Sequence, residues 1–540
     1  MATAALTRAA RTSGRWPSAR LRDAATSVSV ETWGVLLALV LGGGVRAMHV
    51  GTDSFPLNDG GLFLVMIEEI VRGGFALPAF TSYNGAGIPF AYPPLGLYLA
   101  ALVSVLTGAE PTTVLARLPL VVSVATIPVV YALVRALTLG RPEAALASLF
   151  FACMPAPFTW LIMGGGITRA PGHFFSLAAV AVLLVAFRSG RARTAAAGGL
   201  LFGLGALSHP QMAWYAAVML ACAFVGRVRT RAAWRSGLVA GAVALVVVTP
   251  WLVTVLGRHG PAPLVGAFAT NGFADTRRDV TAGRVWGEQF EPVVGPPIWD
   301  WYGGPLPMAL GLAGVGVALR RRKLLAVAWL LALPVAGARA GPLAFALPLA
   351  CMCGLAVGAL PRLTSRGMPA GRGAYLGTLL AAAITVVVLG AELRVALADP
   401  YGILGHLTHD ERATMGWIAR ETPPDSRFLV FQPHGNDGWW SDRVVEWFPV
   451  LAERASAATP QGREWLGDFR RTIRKYEQLQ NCADATVTCL EGWEKRFDER
   501  HTHVYVPKGA PPPRIQRSLD ARDGHELIHE SAAAWVYRRR

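Results

Sequence analysis

Long apolar runs separated by short arginine clusters dominate the chain from residue 33 to about residue 397. A helix needs roughly 17–25 mainly apolar residues to cross a hydrocarbon core. Runs of about that size lie at 33–50, 114–134, 143–162, 171–187, 194–208, 211–226, 236–256, 305–319, 324–338, 341–361 and 374–391. The pattern predicts a polytopic α-helical membrane protein with about 11 transmembrane helices. One further run, 92–107, has only 16 residues and opens on Pro93-Pro94, which suits a re-entrant or interfacial helix. Past residue 397 the pattern changes. Residues 426–432, 502–507 and 534–537 read as strands from their β-branched and aromatic content, and 444–456 and 463–480 carry helical periodicity. A compact α/β domain is expected there.

Charge follows the same division. Residues 1–397 hold 45 charged side chains and residues 398–540 hold 41, about 11% against 29%. The whole chain of 540 residues has 51 Lys+Arg against 35 Asp+Glu, a formal net charge of +16. Its basic excess sits in six clusters: Arg8 to Arg22, Arg135/Arg141, Arg188/Arg191/Arg193, Arg227 to Arg235, Arg320 to Lys323, and Arg362/Arg366/Arg372. They contain 21 Lys+Arg against three acids, Asp23, Glu31 and Glu143. Arginine-rich short loops mark the cytoplasmic side. All six fall on that side if the eleven runs cross and 92–107 does not. The expected organisation is a basic cytoplasmic N-terminus at 1–32, then a multi-span domain at 33–397 with outer loops 51–113 and 257–304. An extracytoplasmic domain follows at 398–540. The first apolar run is read as a retained span, because Arg46 interrupts it and no small-x-small cleavage site follows. Such a charge pattern is a topology signal and argues against a nucleic-acid partner.

Cys153, Cys222, Cys351 and Cys353 lie in apolar runs and read as small core residues, whereas Cys482 and Cys489 lie in the charged domain. If that domain is outside the cell, the latter two are disulfide candidates; the alternative is a pair of free thiols. No GxxxxGK[ST] loop, CxxC or GxSxG occurs, and the one HExxH string is His525-Glu526-Leu527-Ile528-His529. The cytoplasmic loops are too short for a nucleotide-binding domain, so chemistry is expected on the outer face.

Several outer segments could build a site. The loop after the first run holds Asp53 and Asn58-Asp59-Gly60-Gly61, followed by an amphipathic stretch (62–72) and Tyr92-Pro93-Pro94. A carboxylate at the lipid surface is poorly solvated, which suits general-base work, but Asp59 equally suits an N-cap for the helix that follows. In Gly164-Gly165-Gly166-Ile167-Thr168-Arg169, the glycines allow close backbone approach and Arg169 is placed to clamp a phosphate; an interhelical turn is the alternative. His173 and His209 are further candidates. Trp299-Asp300-Trp301-Tyr302 suits sugar stacking or a membrane-interface aromatic belt. Asp437, Trp439 and Trp440 suit an acceptor surface or an aromatic core. His501 and His503 read as two solvent-side histidines on a strand, with too few companions for a metal site.

An acid just after the first span, an interfacial helix, the YPPL segment at 92–95 and the GLGALSHPQ turn at 203–211 together resemble membrane glycosyltransferases of the C-type (GT-C) fold. These include protein O-mannosyltransferases, aminoarabinose transferases and oligosaccharyltransferase catalytic subunits. The NDGWW segment at 436–440 and the EWFPVLAERAS segment at 446–456 resemble the tryptophan-rich outer domain of the last group, and the overall likeness is to bacterial members. The resemblance covers about residues 30–260. It implies transfer of a sugar from a polyprenyl-phosphate donor to a glycan, lipid or protein acceptor on the outer face of the cytoplasmic membrane. In that scheme Asp59 matches the base, Arg169 holds the donor phosphate, and Asp53, Tyr92, His173 and His209 support them. Many members carry a second acid in the second outer loop, but 163–173 contains none, and no double-acid metal motif is visible. No cofactor is implied, and a divalent metal is left open. The alternatives are a transporter or lipid flippase, though no internal repeat is found, and a non-catalytic membrane scaffold.

Overall fold

The computed structural model describes residues 30–270, 296–335, 341–366, 368–400, 402–433, 438–509, 513–521 and 524–540. The N-terminal arginine cluster and Asp437 lie outside the described residues.

Helices fill the first three quarters of the chain. They are α1 (Val30–Val50), α2 (Gly61–Arg72), α3 (Leu95–Thr107), α4 (Pro111–Ala136), α5 (Arg141–Cys153), α6 (Gly166–Ser189), α7 (Ala192–Ser208) and α8 (Pro210–Val225). After these come α9 (Arg231–His259), α10 (Ala262–Ala269), α11 (Pro305–Arg320), α12 (Leu324–Val335), α13 (Gly341–Thr364) and α14 (Ala370–Ala398). Each of the eleven apolar runs falls on one helix. Six of the helices, α1, α4, α6, α9, α13 and α14, are long and apolar enough to cross a membrane. The run 143–162 is helical only to Cys153, because Met154 before Pro155 is extended (φ −60°, ψ 140°) and a 3₁₀ turn at Thr159–Leu161 follows. Short helices can pack here because glycine and alanine faces let backbones approach; in α7, a Cβ on Gly199 would stand 2.4 Å from the Ala240 carbonyl of α9.

The charged clusters meet at one end of this bundle. Arg188 donates to the Ala136 carbonyl at 2.5 Å and Lys323 to the Thr138 carbonyl at 2.8 Å. Glu143, 3% exposed, accepts from Arg321 at 3.1 Å and Arg362 at 3.2 Å. Cations from three of the clusters thus gather where α4 ends and α5 begins, and two of them reach carbonyls that lack helical partners.

At the other end sits a layer built from residues 399–540. It contains α15 (His409–Glu421), α16 (Arg443–Leu451), α17 (Phe469–Gln480), α18 (Val487–Phe497) and α19 (Arg514–Asp520). A two-stranded ribbon, β1 (Phe80–Thr81) with β2 (Ile88–Pro89), lies between α2 and α3. The main sheet comprises β3 (Arg427–Val430), β4 (Ala455–Ser456), β5 (His503–Pro507), β6 (His525–Glu530) and β7 (Ala534–Arg539), in the order β4-β3-β5-β7-β6. β3 runs parallel to β4 and β5, while β7 is antiparallel to β5 and β6. The expected helix at 444–456 stops at Leu451, because Glu453 takes a positive φ of 51° and the chain turns into β4. The expected helix at 463–480 begins only at Phe469, after a 3₁₀ turn at Arg463–Trp465.

His501 and His503 are not solvent-side: they are 5% and 3% exposed. β5 is central in the sheet and covered on both faces. His501 Nδ1 meets Glu494 at 2.8 Å, and His503 stacks on Phe428 with ring centroids 4.8 Å apart. Cys482 and Cys489 form a disulfide that joins the end of α17 to α18. The other four cysteines are free, and three of them (Cys153, Cys351, Cys353) are buried among apolar side chains. One apolar core runs from Phe63, Met66 and Ile67 of α2 through Leu97 of α3 to Trp447 and Phe448 of α16 and Val504 of β5. Burial of such aromatic and aliphatic side chains, roughly 1.5–3 kcal/mol apiece, fuses the layer to the end of the bundle.

Candidate active site

The loop between α1 and α2 cannot be continuous helix. Asn58 and Gly60 take φ values of 49° and 127°, so the chain reverses and the Asp59 side chain leaves the axis of α2. α2 has Gly60 at its N-cap with no side-chain cap, and the Asp59 carboxylate turns instead to the start of α6. The capping reading of Asp59 is thereby corrected. Asp59 Oδ1 accepts the Gly165 N–H at 2.6 Å, and Oδ2 pairs with Arg169 Nη1 at 2.9 Å. Gly164 and Gly165 serve this contact: a Cβ on Gly164 would stand 1.8 Å from the Asp59 carbonyl, and one on Gly165 2.5 Å from Oδ2. They admit the Asp59 loop, where the sequence pattern had offered a ligand or an ordinary turn.

A second carboxylate closes the loop from behind. Glu446, on α16 and 6% exposed, accepts the Gly60 N–H at 2.8 Å and the Gly61 N–H at 3.1 Å through Oε1. Burial first, and then the negative charge of Asp59, push its carboxyl up to about 8, against the pull of the two amides and Arg169. Its neighbour Trp447 donates to the Asn58 carbonyl at 2.8 Å. Sequence reading had not singled out Glu446 as a site residue. It lies 386 residues from Gly60, and no local spacing reports such a contact.

Asp59, Arg169 and Glu446 line a cavity of about 960 Å³ between the bundle and the sheet layer. Its wall is aromatic. The Arg169 guanidinium lies 5.4 Å from the Trp160 ring, and Trp160 meets Trp440 at 6.0 Å between centroids. Tyr92 packs edge-on against Trp465 at 5.5 Å and shares a 3.2 Å hydrogen bond with Thr168. Trp251, Trp301 and Trp439 complete much of the remaining wall. This combines faces that stack on sugar rings with a small polar pole at Asp59–Arg169.

Of the candidates, Asp59, Arg169, Tyr92, His209, Trp439 and Trp440 reach the cavity. His173 does not: it is 6% exposed inside α6, stacked on Phe151. Asp53 does not either. It accepts from Phe55 N at 2.9 Å and pairs with Arg412 at 3.3 Å, on the far side of the loop. Burial alone would raise its carboxyl, but the Phe55 amide and Arg412 outweigh that and hold it below the usual range. Trp301 lines the cavity, so at least one aromatic of the 299–302 group serves the wall.

The donor set does not fit a divalent cation. Both Asp59 oxygens and Glu446 Oε1 are already engaged by Arg169 and backbone amides. Among the described residues no group of three or more His, Cys, Asp or Glu converges to hold a metal.

Residues 91–253 match the dolichyl-phosphate-mannose-protein mannosyltransferase family. Comparison of the sequence with curated proteins gives no match. Among solved structures, the oligosaccharyltransferase of Archaeoglobus fulgidus in its apo form aligns at a TM-score of 0.60 with 15% identity, covering 88% of this chain and 69% of that one. ArnT from Cupriavidus metallidurans, solved with undecaprenyl phosphate, aligns at 0.56 with 15% identity, over 94% of this chain and 98% of that one. The mycobacterial arabinofuranosyltransferase AftD aligns at 0.53 with 16% identity, over 95% and 40%. The likeness therefore extends well past the 30–260 range of the sequence resemblance, through the sheet layer. The chain has the GT-C fold of these membrane glycosyltransferases.

Proposed function

We propose that the protein is a membrane glycosyltransferase that moves a sugar from a polyprenyl-phosphate donor to a hydroxyl-bearing or amide-bearing acceptor at the outer face of the cytoplasmic membrane. The observation that carries this reading is the Asp59–Arg169 pair, 2.9 Å apart, set in the wall of an aromatic cavity of about 960 Å³. Arg169 binds the donor phosphate and draws away from Asp59. Asp59 Oδ2 then takes the proton of the acceptor as its heteroatom bonds to the anomeric carbon, while the bond from that carbon to the phosphate oxygen breaks. Polyprenyl phosphate leaves with the bonding electrons, and Arg169 balances the charge it gains. The aromatic wall excludes water, which would otherwise compete as acceptor. No nucleotide is needed at this step, because the leaving phosphate supplies the driving force.

The reading includes the topology: eleven spans, N-terminus inside, and the sheet layer outside. Support comes from the gathering of the arginine clusters at the bundle end opposite Asp59, which agrees with a cytoplasmic face there. α3, which follows Pro93-Pro94 and must not cross if the arginine clusters are to share one side, lies in the interface next to Tyr92 and Pro93 of the cavity wall and guides the polyprenyl chain. The test is Asp59→Asn in a strain lacking the gene, with cell-envelope glycans and lipids as readout. Loss of the product that wild type restores is expected, on the order of 10²-fold or more. Full restoration by Asp59→Asn sinks the assignment of the base. Substrate flipping that survives the substitution favours a flippase.

A further inference from the structure

We propose that Glu446 is a positioning residue for this site, through which the sheet layer holds the Asp59 loop in its working geometry. The proposal rests on the reading of Asp59 and Arg169 above. Glu446 does not belong to the loop it holds; it stands on α16, in a different part of the fold.

Four contacts tie α16 and its neighbourhood to residues 58–61 and to the ribbon behind them. Two are the Gly60 and Gly61 amides on Glu446 Oε1, at 2.8 and 3.1 Å. The third is the Trp447 indole on the Asn58 carbonyl, at 2.8 Å. The fourth is the Tyr83 hydroxyl on the Glu446 carbonyl, at 2.6 Å. The approach is as close as it can be, since a Cβ on Gly61 would lie 2.8 Å from the Glu446 carbonyl. The two amides are among the unpaired donors of the first turn of α2, and a side chain from α16 satisfies them. Asp59 immediately precedes both. Fixing Gly60 and Gly61 therefore fixes the direction in which the Asp59 carboxylate leaves the backbone, toward Gly165 and Arg169.

The protonation state of Glu446 sets how much negative charge the donor phosphate meets. The titratable and charged groups facing its carboxyl are Asp59, Arg169 and Tyr83, and Tyr83 in turn faces Glu464. On the other elements packed against α16, Glu411 is engaged by Thr408, Arg412 by Asp53 and Arg427 by Glu499. Burial and the negative charge of Asp59 raise the Glu446 carboxyl, which favours its neutral form; as pH rises it ionises, and the added negative charge opposes an anionic ligand. Glutamine in its place keeps an acceptor oxygen for the two amides and removes the titration; alanine removes both.

Two measurements on the full-length protein test this. In amide exchange over residues 55–66 without ligand, wild type and Glu446→Gln should be protected alike, and Glu446→Ala should exchange about tenfold faster or more. Equal protection in Glu446→Ala overturns the clamp. In the second measurement, polyprenyl monophosphate is titrated into wild type, Glu446→Gln and Glu446→Ala at pH 6.5 and pH 9. Wild type and Glu446→Gln should agree at pH 6.5. At pH 9 Glu446→Gln should bind about tenfold more tightly than wild type, one unit of coupling between Glu446 and the phosphate. Because the lipid's own ionisation is common to both proteins, an unchanged ratio at the two pH values overturns the charge role. If wild type fails to bind polyprenyl monophosphate while exchange still singles out Glu446→Ala, the glycosyltransferase reading fails and the clamp stands.

Discussion

In the proposed mechanism Arg169 serves two partners in turn, Asp59 and the donor phosphate, and this exchange has a measurable consequence. The Arg169 Nη1 is paired with Asp59 Oδ2 at 2.9 Å, and the two side chains are 24% and 11% exposed. A phosphate must therefore compete with Asp59 for the guanidinium. Two unit charges about 4 Å apart attract by about 4 kcal/mol at an effective dielectric of 20. Partial exposure and the solvation regained by the freed Asp59 reduce that to about 1.5–3 kcal/mol, or roughly 10- to 100-fold in affinity. Asp59→Asn should thus bind polyprenyl monophosphate at least tenfold more tightly than wild type while losing transfer. The asparagine oxygen keeps the Gly165 amide bond, so the loop is expected to stay in place. Arg169→Gln should weaken binding. The decisive variant is the double, Asp59→Asn with Arg169→Gln. Relief of general repulsion would tighten binding whether or not Arg169 is present, whereas exchange of a shared cation acts only when it is. Calorimetric or fluorescence titrations of the four proteins close the cycle. If Asp59→Asn tightens binding as much in the Arg169→Gln background as in wild type, the exchange is refuted.

Three further outcomes are expected. Gly164→Ala places a Cβ 1.8 Å from the Asp59 carbonyl and should abolish activity or folding, whereas Gly257→Ala, where the added atom meets nothing within 4 Å, should do neither; an active Gly164→Ala enzyme refutes the packing account. Replacing Cys482 and Cys489 with serine opens a loop of sequence separation 7, worth about 2–3 kcal/mol by chain entropy. Thermal unfolding of the sheet layer should fall by several degrees; wild type in reductant should match the double variant, and an unchanged midpoint counts against a stabilising role. Asp442 is pushed up to about 6 by burial, against the Tyr476 hydroxyl and the Val445 and Val444 amides, so its contribution is fully present below about pH 4 and is lost as pH rises through 6. Asp442→Asn keeps the cap on Val445 and removes that titration. Its unfolding temperature should gain on wild type between pH 4 and 6, and parallel curves would remove Asp442 from the account.

The helices were legible because a hydrophobic period is a local property, and each apolar run fell on one helix. Their ends were less so. The 143–162 run breaks at Met154 because Pro155 forces the preceding residue to be extended, a rule that acts below the resolution of hydropathy. In the site, Asp59 and Arg169 stood out by residue type beside glycines, yet their pairing across 110 positions did not. The capping reading of Asp59 fails because of the positive φ of Gly60, which turns the side chain away from α2. Asp53 and His173 had the right chemistry, but Arg412 claims the first and the interior of α6 the second. Glu446 left no trace as a site residue, since its importance lies wholly in what it touches.

The arginine clusters carry more than orientation. Counted along the sequence they mark one side of a membrane, and any cation in those loops would serve that purpose. In the fold they do specific structural work at the junction of α4 and α5. Arg188 and Lys323 satisfy the Ala136 and Thr138 carbonyls, which the end of α4 leaves without helical partners. Arg321 and Arg362 converge on Glu143, a buried acid in the first turn of α5. That acid also packs against Gly354 and Gly358 of α13, where a Cβ would approach its atoms to 2.5 and 2.6 Å. The same end that reads as cytoplasmic therefore fixes α4, α5 and α13 relative to one another. α4 and α5 in turn pack against α1, which leads into the Asp59 loop at its far end. A charge change at Glu143 thus has a packed route, through α4, α5 and α1, to the Asp59 loop.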